Sequence, residues 1–380
     1  MKLWSRQGGR LLAMGAAALC AISALAGPGQ GYDVHLAIQS RNAHLIQGRG
    51  VYMLNDVSGG FMGVYPVEGP HVIAANPNFY TEHQTKFTAD MNATIPDVNF
   101  TGMIVLDYEH WWPSWEWTPA PVQQAWDTYI RTNRTDLLVG RPQAEWPGII
   151  QTEYKKEVRK YYEFTINLSK TLRPKAKVSV YGLPLRSYWI FNGVPQYGFD
   201  LNGYRQLHEQ ELGWYFDLVD VICPSIYPVY KVGTPASGNI HDPSANEAYI
   251  LGMVSEAVRN SRGKPVYPFF MVKYHVSSGY PNQFINAINL RQGLEIPRQA
   301  GAAGVALWDF FYTQEELDAW QNYYDTVARD FVNNVIYPGT PTNVNAQTTF
   351  STVVAPTPPP PPPQLADEAT VKQDKAKVLK

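Results

Sequence analysis

Cysteine is nearly absent from this chain: 380 residues contain two, Cys20 and Cys223. Cys20 falls in an amino-terminal stretch with the marks of an export signal. Lys2, Arg6 and Arg10 form a basic start, Leu11 to Leu25 an apolar stretch too short to span a bilayer comfortably, and Ala24-Leu25-Ala26 a small-residue cleavage site. Residues 1–26 are therefore expected to be removed, leaving a mature chain that is secreted or periplasmic/extracellular and has no membrane span. Cys223 is then the only cysteine left, which excludes an intramolecular disulfide and a cysteine metal cluster. In Val221-Ile-Cys-Pro224 it reads as a small buried hydrophobe.

Charge of one sign is also missing. A net charge of −2 supplies no electrostatic attraction to nucleic acid or any other polyanion. There is no phosphate-binding glycine loop, and neither His110 nor His241 has a second histidine at ligand spacing, so no nucleotide, metal or cofactor is expected. Aromatic residues are what the chain has in quantity: 13%, with 11 Trp and 24 Tyr. Many of these must pack the core, but Trp and Tyr also build stacking walls in carbohydrate clefts.

The carboxy-terminal part changes character near Gly339. A Thr/Asn/Ser-rich passage leads into Pro356-Thr-Pro-Pro-Pro-Pro-Pro-Pro363, a stiff polyproline segment, and then into a charged stretch without aromatics. Residues 340–380 are expected to be linker and disordered tail, and 27–339 one large domain.

Within that domain strand-like and helix-like runs alternate. Tyr154, Val158, Tyr161, Thr165, Leu168 and Leu172 follow helical spacing over 152–172, and Pro174 ends the run. A strand is expected at 178–183, a polar amphipathic stretch at 201–216, and a strand at 219–223. A helix at 245–260, a strand at 265–272, a helix near 288–300, a strand at 304–308 and a helix at 314–335 complete the order. This alternation predicts an α/β domain, a parallel β/α barrel of TIM type, with an open doubly wound sheet as the alternative.

In such a barrel the active site lies at the carboxyl ends of the strands. The run Gly102-Met-Ile-Val-Leu-Asp-Tyr-Glu-His-Trp-Trp-Pro113 carries the chemistry there. Met103 to Leu106 read as a strand buried on both faces. Asp107 and Glu109 follow, two residues apart, so both side chains leave the same face, roughly 7 Å apart at the backbone. Tyr108, Trp111, Trp112, Trp115 and Trp117 surround them. Other strand ends add Tyr188, Tyr227, Lys273, Trp308 and Asp309. Carboxylates among rings suit glycoside hydrolysis, in which an acid protonates the leaving oxygen and rings hold sugar faces. Ordinary catalytic pairs sit on different strands, whereas Asp107 and Glu109 share one. Like-charge repulsion would then keep Glu109 protonated as the acid. The substrate's own N-acetyl oxygen can serve as nucleophile while Asp107 accepts its amide N–H.

These motifs, in this order, resemble the hyaluronidase family of glycoside hydrolases over roughly residues 60–312. The likeness runs through Gly63-Val-Tyr-Pro66, Leu106-Asp-Tyr-Glu-His-Trp-Trp-Pro113, Thr171-Leu-Arg-Pro174, Tyr181-Gly182, Leu212-Gly-Trp214, Pro224-Ser-Ile-Tyr227, Pro265-Val-Tyr-Pro268 and Gly304-Val-Ala-Leu-Trp308. It implies a distorted barrel and retention by substrate assistance, with Glu109 as proton donor and Asp107 positioning the acetamido group. Tyr227 would bond that group and Trp308 would line its pocket. Tyr108, Trp112 and Tyr188 complete the expected substrate-binding set, Tyr188 standing in for the family's active-site tyrosine. The chain departs from the family by placing Trp112 where an arginine usually precedes the motif proline, and by lacking the family's disulfides. The expected substrate is an N-acetylhexosamine-containing glycosaminoglycan such as hyaluronan or chondroitin. The alternatives are a chitinase-like hydrolase of neutral polymers, favoured by Trp112, and a catalytically silent glycan-binding barrel.

Overall fold

The computed structural model describes residues 32–40, 51–55, 62–184, 190–191, 194–195, 201–229, 231–232, 243–276, 278–311 and 313–328. The expected export signal, the proline-rich tail and Tyr188 lie outside the described residues.

The elements run β1 (Asp33–Ser40), β2 (Val51–Asn55), α1 (Pro70–Ala75), α2 (Phe79–Thr94), β3 (Met103–Asp107), α3 (Ala120–Asn133) and α4 (Trp146–Leu172). They continue through β4 (Lys177–Val180), the two-residue strands β5 (Ile190–Phe191) and β6 (Val194–Pro195), α5 (Leu201–Leu218) and α6 (Pro243–Asn260). Then follow β7 (Phe269–Met271), α7 (Ala287–Gln299), β8 (Gly304–Phe311) and α8 (Gln314–Tyr323), the last running into a π-helical turn, Tyr324–Ala328.

Apart from the small antiparallel β5–β6 pair, every named strand pairing is parallel: β2–β3–β4 form one set and β1–β8–β7 another. The segment 221–227 bridges them, through parallel contacts Tyr181↔Cys223, Ile222↔Val266 and Ser225↔Phe269. At the other side β1 lies against β2. Neighbouring parallel segments thus follow one another from β1 through β2, β3, β4, 221–227 and β7 to β8, which pairs with β1 again.

Strands expected at 219–223 and 265–272 are shorter than the sequence pattern suggests. Pro224, Pro265 and Pro268 carry no N–H, so a continuous ladder cannot form there. Single bonds remain between them, Ile222 N–H to Pro265 C=O at 3.0 Å and Phe269 N–H to Pro224 C=O at 2.8 Å. The long helix α4 starts six residues before the expected 152, at Trp146, with Pro147 in its first turn, a position where the missing N–H costs nothing.

Side chains leave a strand alternately to its two faces, and here each face has its own cluster. Met103, Val105, Val221, Cys223, Phe269, Met271 and Ala306 pack together on the inner face. Ile104, Leu106, Val178, Val180, Phe270, Val272, Val305 and Leu307 pack outward with the helices. The expected stripe on α4 joins that outer cluster: Tyr154, Val158, Tyr161 and Thr165 are buried on it, with Leu168 and Leu172 partly buried. Arg173, in the Thr-Leu-Arg-Pro motif, is buried and closes the carboxyl end of α2. Its Nε donates to the Ile95 carbonyl at 2.7 Å and its Nη2 to Asn92 Oδ1 at 3.0 Å. Bonds from one guanidinium to otherwise unpaired carbonyls explain why an arginine is tolerated there.

Candidate active site

Strand β3 is buried along its whole length and ends at Asp107. Met103 and Val105 face the inner cluster, so Asp107 continues that face at the strand's carboxyl end and Glu109 follows two residues on. Asp107 is buried, with 6% exposure, while Glu109 opens to solvent. The Tyr181 N–H donates to the Leu106 carbonyl at 2.8 Å, which sets Tyr181 level with Asp107. Tyr181 in turn pairs with Cys223, and this register brings up Ser225 and Tyr227.

The rings form a stack. Tyr181 and Tyr227 lie 5.7 Å apart at 27°, and Tyr227 and Trp308 5.5 Å apart at 10°. His275 reaches the other edge of Tyr227 at 6.0 Å. The Tyr181 hydroxyl donates to Ser225 Oγ at 2.9 Å, and the two phenols share a hydrogen bond. The indole N–H of Trp308 is buried and has no hydrogen-bond partner among the described residues. A buried donor of this kind is costly unless a ligand accepts from it.

Electrostatics place both carboxylates against these phenols. Burial raises the Tyr181 phenol well above the ordinary tyrosine range, and the charges of Glu109 and Asp107 raise it further. Tyr227 is raised by burial first, then by Tyr181, Glu109 and Asp107. Both phenols therefore stay protonated, with Tyr181 donating to Ser225 Oγ. A third strand-end acid, Asp309, belongs to the opposite face of β8 from Trp308 and lies 3.4 Å from Lys273 in a buried ion pair. Cys223 lies beneath the site, and burial pushes its thiol up to about 12.

Four of the residues expected from sequence thus share one location: Asp107, Glu109, Tyr227 and Trp308. Tyr108 does not. It is 1% exposed, stacked on Tyr65 at 4.7 Å and set edge-on to Tyr161 and Tyr162 in the outer cluster. Its expected place against substrate is corrected by strand alternation, which turns it away from its neighbours Asp107 and Glu109. Trp112 is half-buried against the same outer cluster, and its carbonyl accepts from the Tyr154 hydroxyl at 3.0 Å. Tyr181 and His275 are in the site but were not among the expected site residues. Alternation counted from Val180, an outer residue, would have placed Tyr181 inward.

The sequence profile of glycoside hydrolase family 56, described as hyaluronidase, matches residues 62–342. Human Hyaluronidase-1 is 29% identical over 268 residues, covering 67% of this chain and 57% of that protein. The Hyaluronidase of Polybia paulista is 25% identical over 236 residues, covering 60% and 75%. The crystal structure of bee venom hyaluronidase has a TM-score of 0.60 at 20% identity, covering 73% of this chain and 85% of that one. The structure of bee venom hyaluronidase in complex with a hyaluronic acid tetramer also scores 0.60, covering 76% and 88%. This chain spans little over half the length of the mammalian relatives it matches.

The matches place the protein among the glycoside hydrolases. More narrowly, it belongs to the hyaluronidase family.

Proposed function

We propose that the protein is a secreted, retaining endo-β-N-acetylhexosaminidase that hydrolyses hyaluronan or a chondroitin-like glycosaminoglycan through substrate assistance. The successive parallel segments form a distorted β/α barrel on this reading, with the site at the carboxyl end of its strands. One observation carries it: Tyr181, level with Asp107 at the strand ends, stacks on Tyr227, which stacks on Trp308. The hyaluronic acid tetramer in the bee venom structure supports a polysaccharide ligand. No helix among the described residues is long and apolar enough to cross a membrane.

The chemistry divides between the two acids. Glu109 gives its proton to the glycosidic oxygen as the bond to the anomeric carbon breaks. The acetamido carbonyl oxygen of the same sugar attacks that carbon from the opposite face and closes an oxazoline-type ring. Asp107 accepts the acetamido N–H, which localises the negative charge where the nucleophilic oxygen needs it, and the Tyr227 hydroxyl donates to the group. Water then opens the ring, losing its proton to Glu109, so that two displacements retain configuration. The parallel Tyr227 and Trp308 rings hold the acetamido methyl and the sugar face.

The test is cleavage of hyaluronan, chondroitin and chitin oligosaccharides by the purified chain beside Glu109→Gln. Cleavage of hyaluronan or chondroitin that the substitution abolishes is the expected result. Comparable turnover by Glu109→Gln would remove Glu109 from the donor role. Chitin cleavage alone would transfer the assignment to neutral polymers, the reading that Trp112 favours. Binding of a glycan without any cleavage would make the protein a silent binder.

A further inference from the structure

The segment Gly63-Val-Tyr-Pro66 takes no part in the chemistry above, yet it meets the backbone that carries Glu109. The Tyr65 hydroxyl accepts hydrogen bonds from two successive backbone N–H groups, those of His110 and Trp111, each at 3.2 Å. Its ring is sandwiched between Tyr108 at 4.7 Å and Trp111 at 4.7 Å, the residues on either side of Glu109 and His110. The indole N–H of Trp111 donates back to the Pro66 carbonyl at 2.7 Å. The Glu109 turn is therefore gripped by two hydrogen bonds in one direction, one in the other, and two ring stacks.

The gripping segment is itself fixed. Gly63 has φ +77°, and a Cβ there would lie 2.5 Å from the imidazole of His83. The Gly63 N–H donates to Asp90 at 2.8 Å, and the Val64 carbonyl accepts from the Tyr161 hydroxyl at 3.2 Å. An anchor this constrained can hold a neighbouring turn to a fraction of an ångström, and proton donors need that accuracy.

We propose that Tyr65 is a positioning residue for the proton donor, its hydroxyl holding the 109–111 backbone so that the Glu109 carboxyl points into the cleft. The inference rests on Glu109 being the donor. Tyr181 from the end of β4 and Tyr227 from the 221–227 segment feel the charge of Glu109 together with that of Asp107, the acid two residues before it. By taking both backbone N–H groups, Tyr65 also keeps them from the Glu109 carboxylate, whose charged form they would favour.

Tyr65→Phe tests this, because it keeps the ring stack and removes the hydroxyl that accepts from the turn. We expect kcat to fall about tenfold to a hundredfold with KM within about twofold, the pattern of a misplaced catalytic group. The basic limb of the pH–rate profile should move to lower pH. Independently of any substrate, the Glu109 side-chain carboxyl, followed by carbon-13 NMR and identified by its loss in Glu109→Gln, should titrate at lower pH in Tyr65→Phe. Trp111→Phe, which cuts the Pro66 tether but leaves the hydroxyl, should shift the same titration less and serves if Tyr65→Phe does not fold. An unmoved Glu109 titration in folded Tyr65→Phe, or in Trp111→Phe should Tyr65→Phe not fold, would overturn the proposal. A fully active Glu109→Gln would instead remove the donor assignment and leave the titration to judge Tyr65 alone.

Discussion

Two groups of rings meet the end of β3 from opposite faces. Behind it, Tyr65, Tyr108, Trp111, Tyr161 and Tyr162 pack against one another within the outer cluster, each less than a tenth exposed. In front, Tyr181, Tyr227 and Trp308 stack beside the two carboxylates, and the Trp308 indole N–H has no partner among the described residues. Residue types barely differ between the groups. The two indoles differ in company: Trp111 Nε1 has the Pro66 carbonyl, while Trp308 Nε1 has nothing in the described protein to receive it. Rings in the back group hold a backbone, and in front the Trp308 indole leaves a donor open.

That contrast can be broken by substitution. The largest effect is expected at Glu109, where Gln should lower kcat by roughly 10²–10⁴-fold while the thermal midpoint stays put, since the side chain is exposed. Next is Trp111→Ala behind the strand, which should cost about 3–5 kcal/mol of stability by denaturant titration. Tyr227→Phe in front should invert that outcome, with kcat/KM down about tenfold for the lost hydrogen bond and stability nearly unchanged. If both substitutions acted mainly on stability, the front rings would be core as well.

Acidification should also separate the faces. His83 sits in the back group, and burial lowers its imidazole to about 4. The ring stays neutral in the fold but takes a proton below about pH 6.5 once unfolded. The unfolded state then binds more protons between those values, so stability falls as pH drops from about 6.5 to about 4 and this contribution levels off below. Denaturant midpoints through that range, with the His83 ring followed by NMR, check the sign. The smallest effect concerns Cys223. With its thiol pushed up to about 12, Cys223 in the native protein should not react with a thiol reagent at pH 8, whereas in the unfolded chain it should react at once.

Much of this was legible in the sequence where local pattern and tertiary outcome coincide. The four-residue apolar run of β3, the helical stripe of α4 and the strand at Gly304 follow directly from periodicity. So does the pairing of Asp107 with Glu109 on one face. The same rule, carried one residue further, would have sent Tyr108 to the other face. Proximity in sequence concealed this, because a ring between two acids looks like part of their site. Strand β1 is harder to read, because Ala37 between Leu36 and Ile38 breaks the alternation and its partner β8 lies at the far end of the domain. The broken strands near Pro224 and Pro268 show the reverse error, in which apolar content suggested ladders that proline denies.

The parallel pairing also has a consequence for how the protein comes into being. Asp107, Tyr181, Tyr227 and Trp308 come from separate parallel segments and meet only through pairings remote in sequence. The front stack draws on chain from residue 107 to 308 and the back rings on residues 65 to 162, so the front needs more of the chain in place before any contact rewards its entropy cost. A partly folded chain can hold the back rings, which join residues from 65 to 162, without possessing the front stack. Catalytic competence is then a signal of completed folding, returning with the slowest phase of renaturation while tryptophan burial at Trp111 recovers earlier.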